Sequence, residues 1–527
     1  MTQNSGSINT SILFGASLLV LVAWIARRIR ARSQLPLPPG PKGLPIVGNI
    51  HDLPPPGVPE WQHWTKHKDL YGPISSVTAL GTTIVLINDQ DIAVELLAKR
   101  SAKFSDRPQM FFAQHMCGFD SLPAFQGNNE MFRAQRRLMG AQLGSKSSMT
   151  KFFPALEFQV RHFLQRLLDR PAELTGHLQM TTGALMLDTL YGYTSSLAAG
   201  PDPLITLVNK FMADFSVAAV PGRWLADMVP LLRHVPDWMP GTGFKAIARE
   251  YKQTFDDVKN TPYLYAERKF EEGSAKPSFV RGLLQDRPTA KEREVIKSAG
   301  IGLYSGGTDT TVAALSFFFL AMTVFPDVQK KAKEEIDRVT GGTRLPSFQD
   351  RESLPYVDAV VKEALRWSCI APLCLPHATD EDDEFQGYRI PKGSIIVPVI
   401  RRFAFDKDVY ERPDDFEPQR FLGPKSVPNP WDYVFGYGRR ICPGRYLADA
   451  SLFLIIAQSL AAFDIGRAVD PDTGAFIDPE VKSMPGVVMY PQPYKNSIVP
   501  HSKAHVEMVR NMDIEYDWDE QDGKPGR

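Results

Sequence analysis

Cysteine is scarce: there are four in 527 residues, at positions 117, 369, 374 and 442. Their spacing makes neither a disulfide framework nor a zinc motif, so each is expected to be a reduced, buried thiol unless its neighbours argue otherwise. An excess of one charge is also missing, since Lys+Arg 60 balance Asp+Glu 60. With no overall basic field, nucleic acid is not an expected partner. Gly 38 against Pro 43 excludes collagen-like repeats and points to stiff turns. The chain shows no internal repeat and no linker separating two domains. It also lacks a convincing dinucleotide fingerprint: no strand leads into Gly436-x-Gly438, and Ile441 replaces the third glycine. What is present is 43% hydrophobic residues, ample for a large core and incompatible with a wholly disordered chain.

The first long apolar run is terminal. Ile12 to Ala26 carries no charge, and extending it back to Ile8 approaches the ~20 residues that cross a bilayer. Arg27, Arg28, Arg30 and Arg32 follow it and no basic residue precedes it, the reverse of a cleaved signal peptide. The positive-inside rule then predicts a lumenal amino terminus and a cytosolic body. Asn9-Thr10-Ser11 is a glycosylation sequon on the lumenal side, too close to the membrane for expected use. Leu35-Pro36-Leu37-Pro38-Pro39-Gly40-Pro41 reads as a stiff spacer. The expected division is an anchor over 8–26, a basic and proline-rich hinge over 27–48, one globular domain over 49–505, and an acidic tail over 506–527.

Within the body, Ile74 to Ile87 alternates around Leu80-Gly81-Thr82 and predicts a β-hairpin. Residues from about 89 to 258 read mostly as helix. Thr289 with Glu292 forms a capping box, and no proline follows until Pro326, so one helix roughly 50 Å long is predicted. Its half from Val312 to Phe325 is apolar nearly all round and must cross the protein centre. Further helices are expected over 326–339, 354–367 and 445–463, with a strand over 393–399.

The chemistry concentrates in Phe435-Gly436-Tyr437-Gly438-Arg439-Arg440-Ile441-Cys442-Pro443-Gly444. Glycines let the backbone pass a bulky flat group and turn around Cys442. Loop amides and a helix N-terminus near Gly444 are expected to stabilise a thiolate and lower the cysteine pKa. Glu363-Ala364-Leu365-Arg366 places an acid and a base on one helix face. Gly306-Gly307-Thr308-Asp309-Thr310-Thr311 interrupts the long helix with two glycines, each costing roughly 1 kcal/mol against alanine, which suggests the backbone opens there.

At these residues the chain resembles the cytochrome P-450 family, whose haem-loop pattern Phe-x-x-Gly-x-Arg-x-Cys-x-Gly is met by Phe435, Gly438, Arg440, Cys442 and Gly444. The likeness extends from about Pro38 to Pro500 and looks nearest to fungal microsomal members of secondary metabolism, such as the O-methylsterigmatocystin oxidoreductase group. It implies a mainly α fold with small β-sheets, a single large haem domain behind one N-terminal transmembrane helix. It also implies haem b with Cys442 as axial thiolate, Arg440, Arg136 and His377 as propionate donors, and Asp309 with Thr310 as the acid–alcohol pair that relays protons. Glu363, Arg366 and Arg420 match the family's buried structural network. Departures are Phe132 and Gln419, where tryptophan and glutamate are usual, and Arg401-Arg402, where asparagine and tryptophan are missing.

The resemblance further implies electrons from NADPH through a separate cytochrome P-450 reductase, with cytochrome b5 as a second donor, docking over Arg133, Arg137 and Arg439. It places the protein in the endoplasmic reticulum membrane, single-pass, with the catalytic domain cytosolic. The expected substrate is a hydrophobic small molecule lying near Tyr304, Ser305 and Gly306, against apolar loops that include Phe104, Phe111, Phe112 and Val487 to Tyr490. Two other readings are a thiolate-haem isomerase or dehydratase that needs no external electrons, and a non-enzymatic haem- or lipid-binding membrane protein.

Overall fold

The computed structural model describes residues 35–512 apart from 56, 196–201, 221–222 and 425. The expected anchor over 8–26, the arginines after it, Asn9 and the acidic tail from 513 onward therefore lie outside the described residues.

The hairpin forms where alternation places it. Strands β1 (Ile74–Ala79) and β2 (Thr82–Ile87) pair antiparallel, with Val77 opposite Ile84, around a turn in which Leu80 and Gly81 both have positive φ. Strand β3 (His377–Ala378) and strand β4 (Ile395–Pro398) complete a four-stranded sheet in the order β1-β2-β4-β3. The β2–β4 pairing is parallel and matches Ile84 with Ile395. The prolines are not a free spacer at this end, because β1 holds them: Ser76 donates its hydroxyl to the Pro38 carbonyl at 2.7 Å and its N–H to the Pro39 carbonyl at 2.8 Å.

Helices make up the larger part. Those that position the site are α1 (Glu130–Leu143), α2 (Leu174–Tyr191), α3 (Ala290–Val324), α4 (Pro355–Ser368) and α5 (Arg445–Ala462). Helix α3 begins at the capping box, where the Glu292 carboxylate accepts the Thr289 N–H at 2.8 Å. It runs unbroken for 35 residues and packs most extensively on α2, with α4, α1 and α5 also against it. The backbone does not open at Gly306-Gly307. Gly307 instead lets α2 come close, since a Cβ there would stand 2.6 Å from the Met186 sulfur. Helices α3 and α5 are long and apolar enough to cross a membrane, but 78% and 83% of their most apolar windows are buried, which makes them core helices.

Candidate active site

The cysteine loop is closed by its own backbone. The Cys442 N–H donates to the Phe435 carbonyl at 2.7 Å, and Gly444 caps α5 immediately afterwards. The Cys442 thiol is free. Burial pushes its pKa up, against the expectation of a lowered value. The Gly444 amide, Arg136 and Arg445 act in the opposite direction, toward thiolate, but desolvation is the larger effect. The loop amide and the helix N-terminus are present as expected; what the sequence does not display is how completely the sulfur is removed from water.

Beside this loop lies a cluster of cations with little to neutralise it. Arg440 donates to the carbonyls of Ser105 at 2.7 Å, Pro123 at 3.0 Å and Gln126 at 2.5 Å, and its guanidinium stacks 3.6 Å from the centroid of Phe132. Burial, with Arg107 and Arg136 as like charges, pulls its pKa down to about 8, opposed only by Asp106. Arg136 has no hydrogen bond or ion pair among the described residues, and burial lowers its pKa too. His377 bonds the Phe104 carbonyl through Nδ1 at 2.7 Å, while its buried Nε2 has no partner. Burial and Arg107 drive its pKa down to about 3. Arg107, which the sequence reading did not single out, bonds the Leu375 and Pro376 carbonyls at 2.7 Å and leaves its buried Nε unpaired. Buried cations, and an orphaned guanidinium donor such as Arg107 Nε, call for anions. With a cysteine sulfur adjacent, the set fits a haem: sulfur for the iron and guanidinium groups for its two carboxylates, with the His377 imidazole able to donate from Nε2 only once it is protonated.

The other candidate residues lie on α3. Gly306 is exposed within a helix whose neighbours are mostly buried, and a Cβ there would meet nothing within 4 Å, so this face borders open space. Thr310, one turn on, donates its hydroxyl to the Gly306 carbonyl at 2.6 Å within the continuous helix. Asp309 is held elsewhere, since its carboxylate accepts the hydroxyl of Tyr490, a residue the sequence marked only as apolar lining. Tyr304 is not on the open face. It is buried against α2 with its hydroxyl 3.4 Å from the Gly183 carbonyl, because residues two apart on a helix point to nearly opposite sides. Phe112 is also fully buried and stacks on Trp224 at 3.8 Å.

Behind the loop, Glu363 and Arg366 form a bidentate pair at 2.7 and 2.8 Å with neither side chain exposed. Arg420 joins at 3.2 Å, and Arg366 spends its remaining donors on the carbonyls of Ala404, Pro413 and Asp415. Gln419 is exposed, and Glu417 provides the local acid, 3.4 Å from Arg420. On the outer surface, Arg133, Arg137 and Arg439 are all exposed and share one cleft of about 730 Å³ with Arg136 and Phe132.

Comparison with known proteins gives a consistent result. The family model described as Cytochrome P450 matches residues 38–497. The cytochrome P450 monooxygenase claR of Ampulloclitocybe clavipes is 42% identical over 512 residues, covering 97% of this chain and 94% of the relative. O-methylsterigmatocystin oxidoreductase of Aspergillus flavus is 39% identical over 519 residues, with coverage of 97% and 96%. The multifunctional cytochrome P450 monooxygenase af510 of Aspergillus fumigatus is 37% identical over 519 residues, covering 96% of each chain.

Proposed function

The chain belongs to the cytochrome P450 family, and from that premise we propose that this monooxygenase is anchored to the membrane, draws electrons from an NADPH-dependent reductase, and oxidises a hydrophobic small molecule of fungal secondary metabolism. As in its family, the cofactor is haem on a cysteine thiolate, reduced from outside the chain. We assign the thiolate to Cys442. The observation that carries the assignment is the convergence of a cysteine at a helix N-terminus with buried cations that, among the described residues, Asp106 is the one carboxylate to oppose and no ion pair neutralises.

Once bound, the haem supplies reductive activation of O2, to which a thiolate ligand lends electron density favouring O–O cleavage. The protein's share is binding, orientation and proton management. Arg440, Arg136 and Arg107 would hold the carboxylates, joined by His377 once its Nε2 is protonated, and the Glu363–Arg366–Arg420 network fixes the ground on which the cysteine loop rests. Gly306 leaves room beside α3 for substrate. Thr310 and Asp309 move protons there: the Thr310 hydroxyl donates to the Gly306 carbonyl, and burial raises the Asp309 carboxyl above its ordinary pKa.

Residues 8–26 serve as a single-pass anchor in the endoplasmic reticulum, with the body cytosolic. The reductase docks over Arg133, Arg137 and Arg439, next to the loop that carries Cys442. One relative is named for the oxidation of O-methylsterigmatocystin, and a hydrophobic, polycyclic substrate suits the apolar residues that border the site. The test is reconstitution of the full chain with haem, lipid and a cytochrome P-450 reductase, supplied with a metabolite extract from a host lacking the gene. Product formation that requires both NADPH and O2 is expected. Product formed without either would indicate an isomerase or dehydratase.

A further inference from the structure

We propose that Tyr490 is a positioning residue for the proton relay, its phenol holding the Asp309 carboxylate apart from Thr310 so that the acid acts only when that hydrogen bond lets go. This rests on the reading of Asp309 and Thr310 as the relay, and adds a residue that the acid–alcohol motif does not contain.

The geometry is specific. The Tyr490 hydroxyl lies 2.9 Å from the Asp309 backbone carbonyl and also donates to the carboxylate oxygen Oδ1 of the same residue. No other hydrogen bond and no ion pair reaches that carboxylate among the described residues. Thr310, the next residue, spends its hydroxyl on the Gly306 carbonyl at 2.6 Å. Neighbours on a helix point about 100° apart, so acid and alcohol face different partners and no hydrogen bond joins them.

The phenol is mounted on a fixed support. The Tyr490 carbonyl accepts the Met484 N–H at 2.8 Å, and Met489, 2% exposed, donates its N–H to the Ile370 carbonyl at 2.7 Å. Ile370 lies just beyond the end of α4, the helix that bears Glu363 and Arg366. Tyr490 therefore ties α3 to the framework beneath the cysteine loop and is not a surface contact free to drift.

Electrostatics agrees with the geometry. Burial favours the neutral form of Asp309, and among the described residues the Tyr490 hydrogen bond is the one influence that opposes it, with no lysine, arginine, histidine or second carboxylate acting on it. Burial and the Asp309 charge push Tyr490 itself upward, so its hydroxyl stays a donor. Hydrogen bonds to a charged acceptor are the strong ones, and removing this one leaves burial unopposed and raises the Asp309 pKa further.

The experiment uses the full-length, haem-loaded protein with reductase. It measures product formed per NADPH consumed across pH, together with the infrared carboxyl bands of wild type, Tyr490→Phe and Asp309→Asn. The proposal expects Tyr490→Phe to move the alkaline limb of the coupling profile upward by about one pH unit. A protonated-carboxyl band should also appear at a pH where wild type shows none, and Asp309→Asn should remove both the limb and the band. If Tyr490→Phe coincides with wild type while Asp309→Asn loses the limb, Tyr490 has no positioning role and the relay stands without it. If Asp309→Asn leaves the limb in place, the relay reading itself fails and this proposal with it. Should the phenylalanine variant fail to load haem, the wild-type minus Asp309→Asn infrared difference decides. It is expected to contain a tyrosine band that moves on 13C-tyrosine labelling, and the absence of that band would overturn the proposal.

Discussion

Gly438 stands in the left-handed region at φ +52°, with the Leu97 carbonyl oxygen occupying the space a side chain would need and Ser101 Cβ 2.8 Å from it. The residue is required on two independent grounds, backbone conformation and collision with another segment's backbone. Gly438→Ala is therefore expected to distort the loop before Cys442, at a cost of about 1–3 kcal/mol from the dihedral alone. Purified protein should contain substoichiometric haem by pyridine haemochrome assay; full occupancy would show that the loop tolerates the side chain. The sequence made this glycine legible as part of a pattern, but attributed it to the approach of a flat group. Its reason lies in Leu97, some 340 positions away, which no local reading reveals. Arg401 and Arg402 teach the same lesson. They departed from the family pattern without an evident cause, yet Arg401 stacks 3.3 Å from the Phe405 ring centroid and 4.9 Å from that of Trp61, while Arg402 pairs with Asp69 at 3.0 Å. Tyr490 and Arg107 were invisible for a similar reason: the partners that give them a role come from distant segments.

Elements were far easier to read than contacts. The capping box, the proline at 326 and the apolar run between them place α3 to within a residue at each end, because helix boundaries are written in local chemistry. The glycine pair at 306–307 was legible as a cost to the helix, but not as a choice between bending the backbone and keeping it straight; packing on α2 at Gly307 decides that. On α4, spacing brings Glu363 and Arg366 to one face, and the structure surrounds them with backbone carbonyls from the 404–415 segment. A buried guanidinium so placed tolerates loss of its acid poorly. Glu363→Gln is predicted to destabilise the haem-loaded protein by about 3–5 kcal/mol, as expected for an uncompensated buried charge. Urea denaturation followed at the Soret band measures this, and a shift below about 0.5 kcal/mol would mean the pair is replaceable by neutral hydrogen bonds.

Across the whole molecule, formal neutrality conceals local asymmetry. The balance of acids and bases excludes a general basic field, but it does not prevent Arg133, Arg137 and Arg439 from gathering in one cleft beside the Cys442 loop. Exposed charges of this kind steer encounters more than they hold complexes, and salt screens them. Replacing Arg133 and Arg137 with glutamate is expected to slow reduction by the flavoprotein about tenfold at low ionic strength and to flatten its salt dependence. Stopped-flow reduction at two salt concentrations checks it, and an unchanged rate and slope would assign docking to another face. Everything above the level of the element depends on one sulfur. The most direct measurement is the absorption spectrum of the reduced, CO-treated full chain and of its Cys442→Ala variant. The account predicts the long-wavelength Soret band of thiolate-ligated haem in the wild type and its loss in the variant. A wild-type spectrum typical of a nitrogen ligand, or a variant that keeps the thiolate band, would contradict it.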